Sequence, residues 1–308
     1  MPPFRKIEGV NFLWTSRWIK SGQVRVINRP ESGAEKASAR KFRRKRVVHE
    51  TFHNVEKNCK IFHNEVEKKD GMCYNVGMKD KQPDFSVVKE LIETNRDKFD
   101  AFYELLLFYN TRYNLTAITA EKEVYFKHFM DSLAGEHLFL KGARVLEVGS
   151  GAGFPSVPLM IARKDLTFTL VESTGKKCDF LRTAQEKLGL NAEVIHTRAE
   201  ELAKDPAYRE QYDVCCARAV ARLNTLSEYC LPFVKRGGAF IAYKGEAQEE
   251  AEEARKAIAL LGGGEAELIR YSLPEGYGAR TLIFVQKCRE TPLKYPRGQG
   301  KERSRPII

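Results

Sequence analysis

The sequence has no apolar stretch long enough to cross a membrane and no secretory signal. Its longest apolar runs, such as Leu282 to Val285, fall far short of the roughly 20 residues that a spanning helix needs. The first residues, MPPFRKIEGVNFLW, lack the apolar core and the cleavage site of a signal peptide. These absences exclude an integral membrane protein and predict no membrane partner.

The seven cysteines lack the paired spacing of a zinc site, so we predict no bound metal. They stand at positions 59, 73, 178, 215, 216, 230 and 288. Cys215 and Cys216 are adjacent and cannot bridge each other in the standard geometry. An odd number of cysteines in this arrangement indicates reduced thiols and a cytoplasmic protein.

Acidic residues are scarce at the two ends of the chain. The net charge of the 308 residues is +11, and the positive charge is concentrated at these two ends. Residues 1–83 hold 19 Lys and Arg against 9 Asp and Glu, and residues 286–308 hold seven against two. The middle is mildly acidic, with 26 against 30. Basic ends favour a polyanion such as nucleic acid; the alternative is that each end is only a solubilising tail.

Residues 1–83 show no sustained helical or strand period and little from which to build a core. We predict a disordered basic leader there, which includes the basic run Arg40 to Arg46. Two interpretations stay open. The leader is an arm that touches RNA, or translation begins later, at Met72 or Met78.

Hydrophobic periodicity divides the rest of the chain into three parts. Residues 84–140 form a helical cap, with helical spacing over Val87–Asn110 and Glu123–Phe139. Residues 141–290 alternate strands with helices, and residues 291–308 form a basic tail that Pro and Gly keep extended. The predicted strands are Arg144–Val148, Thr167–Glu172, Ala192–His196, Tyr212–Ala217, Ala239–Lys244, Glu267–Ser272 and Arg280–Lys287. The predicted helices between them are Pro158–Arg163, Gly175–Leu188, Leu223–Val234 and Ala247–Leu261.

Short apolar strands that are separated by helices predict a parallel, doubly wound sheet. The last two strands are about seven residues apart, which is too few for a helical crossover, so they form an antiparallel hairpin. The predicted fold class is therefore α/β, with a mostly parallel seven-stranded sheet, a terminal antiparallel hairpin and a small N-terminal helical cap. This is the Rossmann-like layout expected of methyltransferases that use S-adenosylmethionine (SAM).

A glycine-rich loop follows the first strand, with glycines at 149, 151 and 153. Glycine lets the backbone turn sharply and lets a ligand approach closely, although a plain tight turn would look the same. The spacing is G-x-G-x-G, with Phe154 where a dinucleotide-binding loop has its third glycine. Glu147, just before the loop, suits the cationic aminoacyl end of SAM and would repel a pyrophosphate. The loop therefore favours SAM over NAD.

The ends of the second and third strands carry further candidate cofactor residues. Glu172 is placed to accept both ribose hydroxyls, or it is simply a helix N-terminal charge. Arg198, Ala199 and Glu200 follow the third strand, where the adenine edge is expected. We interpret Arg198 as a substrate-binding candidate and the other two as cofactor contacts.

The region after the fourth strand carries the target-specific residues in this fold. It lacks the (Asn/Asp)-Pro-Pro-aromatic stretch of an adenine amino-methyltransferase. Cys215 and Cys216 suggest a cytosine-C5 nucleophile, but they alternate faces within a strand, which favours buried thiols.

Arg218 ends the fourth strand, and arginine cannot act as a base near neutral pH. It can bind guanine at O6 and N7, or clamp a phosphate. This suits N7 of guanine, whose lone pair needs no deprotonation, so that catalysis is mainly positioning. The alternative is that Arg218 forms an internal salt bridge.

Three further residues are weaker candidates for the substrate side. Lys244, which ends the fifth strand, binds phosphate or the guanine O6 as a second catalytic residue, or it merely sits at a sheet edge. Lys127 and His128, near Asp131 on the second cap helix, either bind substrate as part of a lid or lie on a helix surface.

Several motifs, in order along residues 85–308, resemble the small-subunit ribosomal RNA guanine-N7 methyltransferases. They are YNLT at 113–116, KHFMDSL at 127–133, EVGSGAGFP at 147–155, RAE at 198–200, ARAVA at 217–221 and TPLKYPR at 291–297. Glu147 and Ser156 depart from the family pattern, which commonly has Asp and often has Gly at these positions.

The resemblance implies a SAM-dependent enzyme that methylates N7 of a guanine in the 530 loop of 16S ribosomal RNA and releases S-adenosylhomocysteine (SAH). It places family cofactor contacts on Gly149, Phe154, Ala199, Glu200 and Arg218. The implied partner is 16S rRNA or the small ribosomal subunit, and we expect a monomer. Two rival functions remain at this point: a SAM methyltransferase acting on a small molecule or protein, and a non-catalytic RNA-binding protein.

Overall fold

The computed structural model describes residues 82–308. The predicted basic leader, 1–83, therefore lies almost entirely outside the described residues. The helices are α1 Phe85–Thr94, α2 Arg96–Tyr113, α3 Glu121–Val124, α4 Asp131–Leu133, α5 Ser156–Ala162, α6 Gly175–Leu188, α7 Ala199–Leu202, α8 Leu223–Cys230, α9 Gln248–Leu260 and α10 Lys301–Ser304. The strands are β1 Arg144–Val148, β2 Thr167–Glu172, β3 Ala192–His196, β4 Tyr212–Arg218, β5 Val234–Lys244, β6 Gly263–Ser272 and β7 Ala279–Lys287.

The first helical pattern of the cap is two helices rather than one. Asp84 caps α1 by accepting a hydrogen bond from the Ser86 amide at 2.9 Å. Asn95 leaves the helical region, with φ −117° and ψ 28°, and its side-chain amide donates to the Leu91 carbonyl. The prediction of one helix over Val87–Asn110 was wrong at this point, because the Asn95 side chain competes for the carbonyls that a continuing helix would use.

The second helical pattern, predicted over Glu123–Phe139, is also broken. Between α3 and α4 the chain forms a π-helix over Tyr125–Met130, and Glu136–Leu138 is a single 3-10 turn. A π-helix inserts an extra residue into the helical repeat and often marks a functional site. Here it carries Lys127 and His128.

The sheet has the order β3-β2-β1-β4-β5-β7-β6. Neighbours among the first five strands pair in parallel, whereas β7 pairs antiparallel with both β5 and β6. This sheet, with helices around it and a cap before it, confirms the predicted fold. The order in which strands are added to the sheet reverses between β1 and β4. In such sheets a ligand binds in the crevice at the carboxyl ends of these two strands.

The predicted bounds of β1, β2 and β3 are correct, but β5 begins earlier than predicted. The helix predicted over Leu223–Val234 ends at Cys230, and a 3-10 turn at Leu231–Phe233 with proline in it leads into β5 at Val234. The register between β4 and β5 shifts between Tyr212 and Val214, which lets β5 extend through a glycine pair. β6 likewise begins at Gly263 instead of Glu267.

Two apolar layers cover the two faces of the sheet. One layer joins the cap to the sheet, through residues such as Phe102 and Phe168, and the other lies under α8 and α9. Cys216 belongs to the first layer and Cys215 to the second, as expected for adjacent residues in a strand. Both thiols are fully buried, which confirms the structural interpretation of this pair.

The C-terminal tail packs against α8. The Arg297 guanidinium pairs with the buried Glu228 carboxylate at 2.7 Å, and the Thr225 hydroxyl donates to the Glu302 carbonyl at 2.8 Å. The prediction that Pro and Gly keep this tail extended is wrong at α10, and the charge of Arg297 is balanced by Glu228 inside the protein.

Candidate active site

The loop after β1 needs its glycines. Gly149, Gly151 and Gly153 have φ values of +70°, +53° and +83°, which side chains rarely adopt. A Cβ on Gly149 would lie 2.7 Å from a Val220 methyl, and one on Gly153 would lie 2.5 Å from a Val157 methyl. The loop is therefore compact, and the β4–α8 connection lies directly against its first glycine.

Glu172, at the end of β2, holds this loop in place. Its carboxylate accepts the Gly151 amide at 2.9 Å and the Thr174 amide at 2.8 Å. Thr174 immediately precedes α6, so the second contact places the Glu172 charge at a helix N-terminus, which was the alternative interpretation of this residue. Each carboxylate oxygen has further lone pairs, so this arrangement also leaves acceptor capacity for a hydroxyl.

Glu147 is fully buried at the end of β1, and neither of its carboxylate oxygens has a hydrogen-bond partner among the described residues. Burial raises the pKa of Glu147 to about 8. The Ser156 and Ser150 hydroxyls and the Arg218 charge oppose this rise without completing a hydrogen bond to the carboxylate. An unpaired carboxyl here is costly to ionise, and it suits a cationic ligand group.

A cavity of about 230 Å³ opens at the carboxyl ends of β1, β2 and β3. It brings together four of the predicted residues: Gly149, Arg198, Ala199 and Glu200. Glu200 is buried and pairs with the more exposed Arg198 at 2.5 Å. Val148, Val171, Ser173, Thr197, Val220, Tyr229 and Arg303 complete the lining.

Arg218, the last residue of β4, is surrounded by residues of the cap. Its Nη2 donates to the Lys127 carbonyl at 2.6 Å and lies 3.0 Å from His128 Nδ1. It also pairs with the buried Asp131 carboxylate at 3.3 Å. The internal salt bridge that the sequence left open is thus present, and 16% of the Arg218 side chain remains exposed.

His128 is a buried, neutral imidazole. Its ring stacks on Phe154 with centroids 4.4 Å apart, and its Nε2 lies 2.9 Å from the Thr116 hydroxyl. Burial, and then the Arg218 charge, lower the pKa of His128 to about 3. Because Arg218 can only donate, Nδ1 accepts and Nε2 carries the proton that is shared with Thr116. The helix-surface interpretation of His128 was therefore wrong.

Phe154 links the glycine loop to the cap. Besides His128, its ring contacts Phe102 at 5.4 Å and lies 5.7 Å from the Arg218 guanidinium carbon. The predicted cofactor residue Phe154 thus stacks on His128 and lies beside Arg218, which are both predicted to bind the substrate.

Two residues beside Arg218 and Asp131 come from the β6–β7 hairpin, and no sequence motif pointed to them. The Tyr271 hydroxyl donates to Asp131 at 2.9 Å, and Arg280 lies 3.6 Å from the same carboxylate. Both are far from Asp131 along the chain, so no spacing rule could have paired them.

Lys244 and Lys127 are paired within the protein. Lys244 Nζ donates to the Ala221 carbonyl at 2.6 Å and to Glu250 at 2.8 Å. Lys127 pairs with Glu123 one helical turn away, which is the helix-surface arrangement. The structure does not bring Lys244 to the Arg218 cluster, and its charge is balanced by Glu250.

Residues 82–308 contain neither a candidate metal site nor a membrane-spanning helix. No group of three or more His, Cys, Asp or Glu residues there could hold a metal ion. No helix in that part is long and apolar enough to span a membrane.

Comparison with known proteins gives consistent matches. The family model described as "rRNA small subunit methyltransferase G" matches residues 95–273. The Ribosomal RNA small subunit methyltransferase G of Lactobacillus acidophilus is 46% identical over 225 residues, covering 71% of this chain and 93% of that protein. The protein of the same name from Staphylococcus aureus is 46% identical over 223 residues, again covering 71% and 93%.

One of the solved structures that match shares less of the sequence. An O-methyltransferase from Bacillus cereus in complex with SAH has a TM-score of 0.44 and 17% identity, covering 65% of this chain and all of that one. The fold assignment follows from the strand order of the sheet itself.

Proposed function

The chain belongs to the ribosomal RNA small subunit methyltransferase G family, and from this premise we propose that it methylates N7 of a guanine in the 530 loop of 16S rRNA. The coarser activity, SAM-dependent methylation of small-subunit rRNA, follows from family membership. The position on the base and the place in the RNA are the proposal.

The cleft fits SAM in two respects. The buried, unpaired Glu147 carboxyl suits a ligand with an ammonium group, and Gly149 lines the cavity without a side chain to fill it. We propose that Gly149, Ala199 and Glu200 hold the nucleoside. The remaining proposed contacts are Glu147, Gly151, Gly153, Phe154, Glu172 and Arg218. SAM supplies an electrophilic methyl group on a sulfonium.

The observation that carries the N7 proposal is the character of the groups around Arg218. Arg218 is a permanent cation, and His128 is an imidazole with a pKa of about 3 whose ring nitrogens are both engaged. Asp131 is paired with Arg218 and Tyr271. These groups suit a nucleophile that arrives with its lone pair available, and guanine N7 is such a nucleophile.

Charge balance agrees with this assignment. The guanine N7 lone pair forms the new N–C bond as the S–C bond breaks, so the base becomes cationic and no proton leaves. We propose that the Arg218 guanidinium donates to the guanine O6, which orients the base and leaves the N7 lone pair free to attack the methyl group, and that Asp131 offsets the positive charge. Catalysis then consists mainly of positioning.

The remaining candidates take supporting roles in this proposal. Lys244 positions the β4–α8 connection through the Ala221 carbonyl, next to Val220 and the glycine loop. Arg198, which is exposed at the mouth of the cavity, is the best placed of the predicted substrate cations to meet RNA phosphate. We further propose a cytoplasmic monomer without a metal cofactor that acts on 16S rRNA or the small subunit.

The test uses the full chain and SAM labelled in its methyl group. Small ribosomal subunits, deproteinised 16S rRNA and transfer RNA are offered separately, and the products are digested to nucleosides. The proposal expects label in 7-methylguanosine from one of the two small-subunit substrates and none from transfer RNA. Label in another nucleoside, or equal label in transfer RNA, contradicts it.

A further inference from the structure

Two residues that line the cofactor cavity do not come from the segments that follow the strands. One belongs to α8 and the other to the C-terminal tail. Tyr229 of α8 and Arg303 of α10 line the cavity together with Gly149, Ala199 and Glu200. Neither residue stands in a motif that the sequence suggested for the cofactor. Their place in the lining therefore needs its own explanation.

Tyr229 buries a hydroxyl that has no hydrogen-bond partner among the described residues. The residue is 3% exposed. Burial raises the pKa of the Tyr229 hydroxyl, and the nearby Arg303 guanidinium opposes the rise without completing a hydrogen bond. A buried hydroxyl without a partner is destabilising, so a partner from a bound ligand would remove a real penalty.

Arg303 is placed to donate into the same space. Its Nη2 donates to the Val220 carbonyl at 3.3 Å, and Val220 lies against Gly149 at the entrance to the glycine loop. A guanidinium has five N–H donors, so this one bond leaves capacity for acceptors on a ligand.

The tail that carries Arg303 is fixed in the residues that precede it. Glu302 is fully buried and its carbonyl accepts the Thr225 hydroxyl, while the Arg297–Glu228 pair holds the preceding turn. A donor on a fixed backbone loses little conformational freedom when it binds, which favours a contribution to affinity.

We propose that Arg303 and Tyr229 contact the nucleoside part of SAM, so that the C-terminal tail completes the cofactor site. The nucleoside offers ring nitrogens and ribose hydroxyls as acceptors for Arg303, and a polar partner for the Tyr229 hydroxyl. The inference rests on the assignment of this cavity to SAM. It gives residues 291–308 a role in cofactor binding rather than only a basic surface for RNA.

The test measures SAH binding to the full chain by titration calorimetry, without any turnover. The variants are Arg303→Ala, Tyr229→Phe and the control Arg305→Ala, which removes the same charge from an exposed position in the same tail. Arg303→Ala is expected to raise the Kd for SAH about tenfold and Tyr229→Phe about threefold. Arg305→Ala is expected to stay within twofold of the wild type.

Each outcome decides the proposal. If Arg303→Ala binds SAH within twofold of wild type, the role of Arg303 is overturned, and the same holds separately for Tyr229→Phe. An equal loss in Arg305→Ala would show a general charge effect and would also overturn it. A wild-type chain that binds no SAH would instead remove the proposed function, so the two failures are distinct. Thermal melting of each variant checks that it is folded.

Discussion

Buried polar groups are satisfied differently in two parts of the site, the paired end around Arg218 and the open end at the cofactor cavity. Around Arg218, the guanidinium, the His128 imidazole and the Asp131 carboxylate are joined by contacts from three parts of the chain. At the open end, the Tyr229 hydroxyl lines the cavity and has no hydrogen-bond partner among the described residues, and the buried Glu147 carboxyl, which lies within the electrostatic reach of Arg218, has none there either. Contacts within the protein hold the paired end in place, whereas the open end has buried polar groups that a ligand can pair.

The difference matches what each end must do. Transfer to a nitrogen lone pair needs geometry that is fixed in advance, and a satisfied network provides it. Cofactor binding needs groups that gain partners only in the complex, because that gain becomes affinity. In the proposed function, the cap therefore holds the reacting base in place, and the cavity at the ends of β1 and β3 takes the nucleoside of SAM.

The largest effect is expected at the paired end. Arg218→Ala should lower kcat at least about 100-fold, because it removes the donors that orient the base. Asp131 keeps Tyr271 and Arg280 as neighbours, so the chain should still fold. Methyl transfer to small-subunit RNA measures this, with Arg255→Ala in an exposed ion pair as the control. An Arg218→Ala variant with full activity contradicts the assigned role.

The next effect is expected at the open end. Gly149→Ala should raise the Kd for SAH about tenfold or more, because its Cβ would meet Val220 and its φ is +70°. Gly142→Ala is the matched control, since Gly142 has φ +74° but nothing within 4 Å of the added Cβ. Both variants should lose about 1 kcal/mol of stability from backbone strain. Equal SAH affinity in the two variants would contradict a ligand-bearing loop.

A smaller effect concerns the unpaired carboxyl. The pKa of Glu147 is about 8 in the folded chain, and its ordinary value, which applies to the unfolded chain, is 4.5. The folded state therefore holds the extra proton between these values, and stability falls as pH rises from about 4.5 to about 8. Glu147→Gln should flatten this fall and raise the melting temperature at pH 9 but not at pH 4. Glu265→Gln, at an exposed position, is the control.

Saturating SAH sharpens that experiment. If the ammonium group of the cofactor meets Glu147, the ligand should reduce the dependence of wild-type stability on pH. A wild-type slope that SAH leaves unchanged would separate Glu147 from the cofactor.

The smallest effect is expected at the imidazole. The pKa of His128 is about 3 in the fold and ordinarily 6.5, so the unfolded chain binds the extra proton and stability falls as pH drops from about 6.5 to about 3. His128→Asn should weaken this dependence, at a cost of about 1 kcal/mol at pH 8 from the lost Phe154 stacking. Urea unfolding at several pH values measures both. If His128→Asn keeps the wild-type dependence on pH, His128 does not titrate in this way. The control is His196→Asn, at an exposed position, which should show the wild-type dependence.

The sequence predicted the parts of the fold that depend on local signals. β1, β2 and β3 are short apolar runs between clear turns, and their bounds were correct. The glycine pairs before β5 and β6 looked like loops, yet pairing with neighbouring strands continues through them; Gly263 pairs with Lys287, for example. The π-helix depends on one extra residue in a helical repeat, which periodicity does not show.

The candidate site divides in the same way. The glycine loop was predictable because its residues are consecutive and their spacing has a physical meaning. The partners of Arg218 come from the cap, and those of Asp131 come from the terminal hairpin as well. Only the folded chain brings them together, and the same is true of Tyr229 and Arg303.

The most direct measurement compares 16S rRNA from cells with and without this protein by nuclease mapping and mass spectrometry. The account predicts one guanine in the 530 loop that carries a methyl group at N7 in the first sample and none in the second. An unchanged 7-methylguanosine content, or the loss of a methyl group from a different base or atom, would contradict it.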